Sequence, residues 1–142
     1  VTEVFDHIQR KIGFARFATM FRVVLTDNGP EFKDPISLER GTRNVQRCHI
    51  FYCDSRASQQ KGRIEKNHEY IRKYLPQGTS FNDLTQEKVN LMMSHINSVK
   101  RDSLDGRSPF ECLTRAELKT IKKLGLTPID PDEVNLSLDL IQ

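Results

Sequence analysis

Apolar positions recur at three- and four-residue spacing at the start of the chain, where Val4, Phe5, Ile8 and Ile12 share one side and Gly13 follows. That spacing predicts a helix over residues 2–11 stopped by the glycine, with a shorter helical piece over 14–20. The rhythm then changes. Residues 21–26, FRVVLT, predict a strand, and Asp27-Asn28-Gly29-Pro30 breaks it with strong turn chemistry. A short helix is expected within 33–40, a polar loop over 41–47, and a second strand over 49–53. Residues 58–75 form the most convincing helix, stopped by Pro76 and Gly78. Another runs over 85–100, with Val89, Met92, Met93, Ile96 and Val99 as its apolar stripe. Ser108-Pro109-Phe110-Glu111 reads as a capping box opening a helix toward Leu124, with Gly125 as its cap. Pro128 and Pro131 mark an extended tail, with a strand expected over 134–138.

The order of elements, αβαβαα, predicts an α/β fold. Two short strands make a small sheet for such a fold, so the chain reads as the later part of an α/β domain whose opening strands lie elsewhere. Residues 1–125 are expected to belong to that domain, and 126–142 to form an extended acidic tail.

Composition narrows the class of protein. Of 142 residues, 37% are hydrophobic and 29% charged, a globular rather than disordered balance. No apolar run approaches the length of a bilayer span, and no signal-peptide pattern is present. Three cysteines without a disulfide-like framework point to reduced thiols and a cytoplasmic setting. Cys48 and Cys53 lie five positions apart in a strand-like run, so they are expected to be buried thiols rather than zinc ligands.

The net charge of +3 is small, but its distribution is uneven. Arg56, Lys61, Arg63, Lys66, Arg72 and Lys73 cluster in one stretch against Glu65 and Glu69, whereas residues 129–142 carry only acidic charge. Such a basic stretch suits a polyanion, although a solvated helix face has the same composition.

Two carboxylates stand out within this pattern. Asp27 ends a hydrophobic strand, and in open α/β sheets ligands bind at that edge. Glu65 lies near the start of the helix 58–75. Arg72 follows seven residues later, nearly in line with it at about 100° per residue, and Lys61 and Glu69 flank it four residues to either side. Carboxylates contributed by different elements commonly hold a divalent metal beside phosphate, and hard oxygen ligands suit Mg²⁺. Surface ion pairs and turn chemistry account for each feature taken singly.

The segments LTDNGPEF, FYCDSRASQQKGRIEKNHEYIRKYLPQGTSFNDLTQE and INSVKRDSLDGRSPFE resemble the integrase catalytic core of bacterial insertion-sequence DDE transposases, most closely the insertion sequence thirty family. The likeness runs from the first helix to about Cys112. It implies a ribonuclease-H-like fold, truncated at its N-terminal side, with three acidic metal ligands, Asp, Asp and Glu, and a basic residue seven positions after the Glu. Asp27 matches the second Asp, Glu65 the Glu and Arg72 the basic residue. The segment Gln59-Gln60-Lys61-Gly62 resembles the loop before the catalytic helix. The stretch between Asp27 and Glu65 is a little longer than is usual in the family, and the polar loop 41–47 can absorb the excess. The first Asp has no counterpart. Asp6, the only Asp before Asp27, falls on the opening helix.

The resemblance implies DNA cleavage and strand transfer at a site of two Mg²⁺ or Mn²⁺ ions. Asp27 and Glu65 would be metal ligands, and Lys61, Arg63, Lys66, Arg72 and Lys73 would contact DNA. With two of three acidic ligands, the chain alone is expected to be inert, and as a homo-oligomer its copies would cover exposed strand edges. A ribonuclease-H-like nuclease, and a non-catalytic DNA-binding or dimerisation remnant of a transposase, remain open alternatives.

Overall fold

The computed structural model describes residues 1–41, 44–54 and 62–141, and for residues 62–65 the backbone alone. It divides into two compact units, Val1–Lys61 and Gly62–Gln142.

The first unit is a mixed α/β arrangement. Helix α1 (Thr2–Ile12) ends at Gly13, whose φ of 87° allows the reversal into α2 (Phe14–Met20). Strand β1 (Val23–Thr26) is followed by a 3-10 turn at Pro30–Phe32 and by helix α3 (Pro35–Arg40), and β2 (His49–Tyr52) then returns beside β1. Parallel strands need a helical crossover of this kind, and β1 pairs with β2 in parallel from Val23 opposite His49 to Thr26 opposite Tyr52. The strand expected over 21–26 starts later because Phe21 belongs to an aromatic cluster. Its ring centroid lies 4.8 Å from that of Phe17 and 6.4 Å from that of Phe5, which holds residue 21 at the end of α2.

A buried arginine organises this unit. Arg47 lies in the stretch expected to be a polar loop, yet its side chain is 0% exposed. It donates to Asp6 Oδ1 at 2.5 Å, to Gln9 Oε1 at 3.3 Å, and to the carbonyls of Leu38 and Ser37 at 2.8 and 3.1 Å. Its guanidinium also lies over the rings of Phe5 and Phe17. One residue thus ties α1, α2 and α3 together where β2 begins. Gly41 is needed beside it. At φ 58° a side chain is already disfavoured, and an added Cβ would come within 2.8 Å of Arg47 Nη1.

The second unit is helical. Helix α4 (Gly62–Tyr74) and helix α5 (Gln86–Ser98) pack together with the C-terminal turn Leu138–Ile141 around Tyr74, Met92, Ile96 and Ile141. Ile71 and Leu75 border this core. Thr85 caps α5 by accepting from the Lys88 N–H at 3.3 Å. The helix expected from Ser108 toward Leu124 is split. Ser108 and Glu111 do exchange their capping hydrogen bonds, but they close only a 3-10 turn at Phe110–Cys112. Thr114 and Glu117 then form a second capping box that opens helix α6 (Arg115–Lys122).

Residues 134–138 form no strand. The tail is instead bound to α5 through buried polar side chains. Ser94 Oγ accepts from the Thr127 N–H, Ser98 Oγ from the Ile129 N–H, and His95 Nδ1 from the Asn135 N–H, at 3.1, 2.9 and 3.1 Å. The Tyr74 hydroxyl donates to the Asn135 carbonyl. No helix among the described residues is long and apolar enough to cross a membrane.

Candidate active site

Asp27 directly follows Thr26, the buried last residue of β1, and is itself exposed. Alternation along the strand turns Thr26 inward, and the chain then leaves the sheet at its carboxyl edge, where a parallel arrangement presents ligand-binding residues. The Cys53 N–H donates to the Thr26 carbonyl at 2.7 Å, so the two strands end in register. The exposed Asp54 therefore leaves the same edge from β2, close in register to Asp27. Sequence reasoning passed over Asp54, because only the parallel pairing brings its edge to that of Asp27.

Cys48 and Cys53, at the two ends of β2, are both buried. Burial pushes the Cys48 thiol above its usual range, which suits a packed thiol rather than a reactive one. Asp6 is engaged by Arg47 in the interior of the first unit.

Glu65 lies in the first turns of α4, in the second unit, so the two candidate carboxylates belong to different units. Arg63 shares that part of the helix, while Lys61 and the other residues of 55–61, including the start of the helix expected over 58–75, fall outside the described residues. Further along α4, Lys66, Arg72 and Lys73 are exposed. Lys66 Nζ bonds Glu69 Oε2 at 2.6 Å. That bond, with the charges of Lys66, Arg72 and Lys73, holds the Glu69 carboxyl below its usual range. An exposed pair three residues apart is weak, so the approach of a phosphate would readily displace it. Lys73 Nζ lies 5.5 Å from the centre of the Tyr70 ring. Arg72 and Lys73 also occupy the last turn of α4, where positive charge complements the helix dipole, so the helix itself gains from them whatever they bind.

The chemistry of the donors suits a hard divalent cation, since Asp27 offers an exposed carboxylate at a strand end. Among the described residues, which leave out the Glu65 side chain, no three of His, Cys, Asp or Glu gather into a metal-binding group.

Comparison with known proteins finds likenesses over part of the chain. Over 66 residues, 46% of this chain, the sequence is 29% identical to the transposase of insertion sequence element IS1086 of Cupriavidus metallidurans. The same identity and length hold for transposase InsI of insertion sequence element IS30A of Escherichia coli K12. The ORF3 product of Spiroplasma virus SpV1-R8A2 B, named as an integrase, is 30% identical over 88 residues, 62% of this chain. These stretches cover 20%, 17% and 26% of the three relatives, so the chain matches about a quarter or less of their length. No family model and no solved structure matches it. The chain is thus similar to transposases and to an integrase over a limited stretch, and its own architecture is mixed α/β with a small parallel sheet.

Proposed function

We propose that this chain is part of a ribonuclease-H-like catalytic core of a DDE transposase, acting on DNA by metal-dependent phosphoryl transfer. The observation that carries this reading is an exposed Asp27 at the carboxyl end of a parallel strand, in a chain similar to transposases. Asp27 and Glu65 are the proposed ligands of Mg²⁺ or Mn²⁺, with a further acidic ligand required by the resemblance. The ion, when bound, would supply Lewis acidity and charge neutralisation at the attacked phosphate. Arg72 and Lys73, with Lys61, Arg63 and Lys66, hold the DNA backbone by charge-assisted hydrogen bonds, which orient the substrate without reading its sequence. No nucleophilic side chain is required, because this chemistry is largely positioning and electrostatics. With two acidic ligands of three matched, the 142-residue chain alone is proposed to be inert and to bind Mg²⁺ weakly.

The test uses the protein as its gene encodes it, with Mg²⁺-dependent nicking and joining of transposon-end DNA as the readout. Asp27→Asn and Glu65→Gln are each expected to lower the rate by about 100-fold or more, the scale for losing an electrostatic partner of the reaction. DNA affinity should stay within about threefold, because the phosphate-binding cations are untouched. Undiminished activity in the Glu65→Gln protein would show that the ligand lies elsewhere.

A further inference from the structure

We propose that Arg101 is a positioning residue for α4, and this rests on the reading of that helix as the carrier of the metal ligand Glu65. Arg101 is held at the mouth of a tight loop. Its N–H donates to the Arg107 carbonyl at 3.0 Å, and the Gly106 N–H donates back to the Arg101 carbonyl at 3.1 Å. Asp105 and Gly106 take positive φ values of 55° and 74° to close this loop.

From that fixed base the side chain reaches three groups on two helices. Nη1 donates to Asn67 Oδ1 on α4 at 3.1 Å, and Nη2 to the Ile96 carbonyl on α5 at 3.4 Å. The guanidinium carbon lies 5.1 Å from the centre of the Tyr70 ring, which Lys73 also approaches. Nε is buried and has no hydrogen-bond partner among the described residues. A desolvated donor without a partner is unfavourable, so the other contacts of the guanidinium must outweigh it.

Asn67 and Tyr70 are three residues apart and share a face of α4. Position 65 is two steps before Asn67, about 200° around the helix, so Arg101 holds α4 from the side away from Glu65. It can therefore set the rotation of the helix about its axis without competing for the metal. Lysine could not replace it. A single ammonium on a flexible stem lacks the planar fork that spans Asn67 and the Ile96 carbonyl from a position over Tyr70.

Amide hydrogen exchange on the 142-residue chain tests the clamp independently of any activity. Arg101→Lys and, separately, Asn67→Ala should each speed exchange within 62–74 by about tenfold, while α5 and α6 stay within about twofold. The double variant should add little to either single, because the two side chains act on one contact. Unchanged exchange in α4, or a uniform rise across all helices, overturns the proposal. In the protein as its gene encodes it, Arg101→Lys should lower kcat by about 10- to 100-fold with KM for DNA nearly unchanged, the signature of misplacement rather than lost binding. An active wild type whose kcat is indifferent to Arg101→Lys overturns the catalytic role. A wild type with no metal-dependent activity overturns the proposed function itself, and the exchange data then decide the clamp alone.

Discussion

Arg47 is costly to place and costly to remove. Its charge is fully buried, and its ring contacts and carbonyl bonds are made only where Asp6 balances that charge. Arg47→Met alone leaves Asp6, itself only 16% exposed, without its cation, so the first unit should lose about 3–5 kcal/mol in urea melts. The double variant Arg47→Met, Asp6→Leu should recover much of that loss, because the uncompensated charge goes with its partner. A double variant weaker than Arg47→Met would show that the carbonyl bonds, not the ion pair, carry the stability. His95 is the corresponding residue in the second unit. Burial holds its pKa below the ordinary 6.5, with the carboxylate of Glu133 acting in the opposite direction. The unfolded chain therefore binds the proton more readily than the fold does. The contribution of His95 is complete above pH 6.5 and is lost as the pH falls below that value. Its Nδ1 must also stay unprotonated to accept from Asn135. The second unit should melt at lower temperature at pH 5 than at pH 7.5, and His95→Gln, which keeps an acceptor but does not titrate, should flatten the difference.

At the scale of elements, apolar spacing and turn residues marked α1, α2, α3 and α5 to within about two residues, because those signals are local. What was not legible depended on partners distant in sequence. Ser108 and Glu111 form the expected capping box, but the apolar side chains after it do not continue one helix. Leu113 takes an extended conformation, and Thr114 caps a new start. Thr114→Ala should cost about 1 kcal/mol and fray α6 specifically, which chemical shifts across 115–122 would report. A loss spread evenly over the second unit would mean that α6 is held by packing instead. The tail was misread for a similar reason. Alternating apolar residues over 134–138 suggested a strand, yet Leu136 and Leu138 face the Tyr74 core while backbone N–H groups bond side chains of α5. Of the candidate site, the placement of Asp27 after a strand and of Lys66, Arg72 and Lys73 on α4 was legible from local pattern. Arg101 and Asp54 were not, because one acts across 34 positions and the other depends on strand pairing.

For the whole molecule, the small sheet carries an exposed apolar face. Residues 23, 25, 49 and 51 fall on one face by the strand period and the register, and Val23, Leu25 and Phe51 remain 61%, 42% and 55% exposed. The opposite face is better covered, with Thr26 buried and Val24 and Ile50 half-buried. An apolar face on a sheet of two strands, among the described residues, is open to association, and β1 offers its outer edge for further pairing. Self-association of the 142-residue chain is therefore expected. Light scattering over a dilution series should show mass rising with concentration. Leu25→Lys should suppress that rise, because a charge on the open face blocks contact while leaving the buried face intact. The variant should also keep its helical signal, since residue 25 points away from the side on which Thr26 is buried. A wild-type chain that stays monomeric at every concentration, with a cooperative melt, would mean that this face is tolerated in water as it stands.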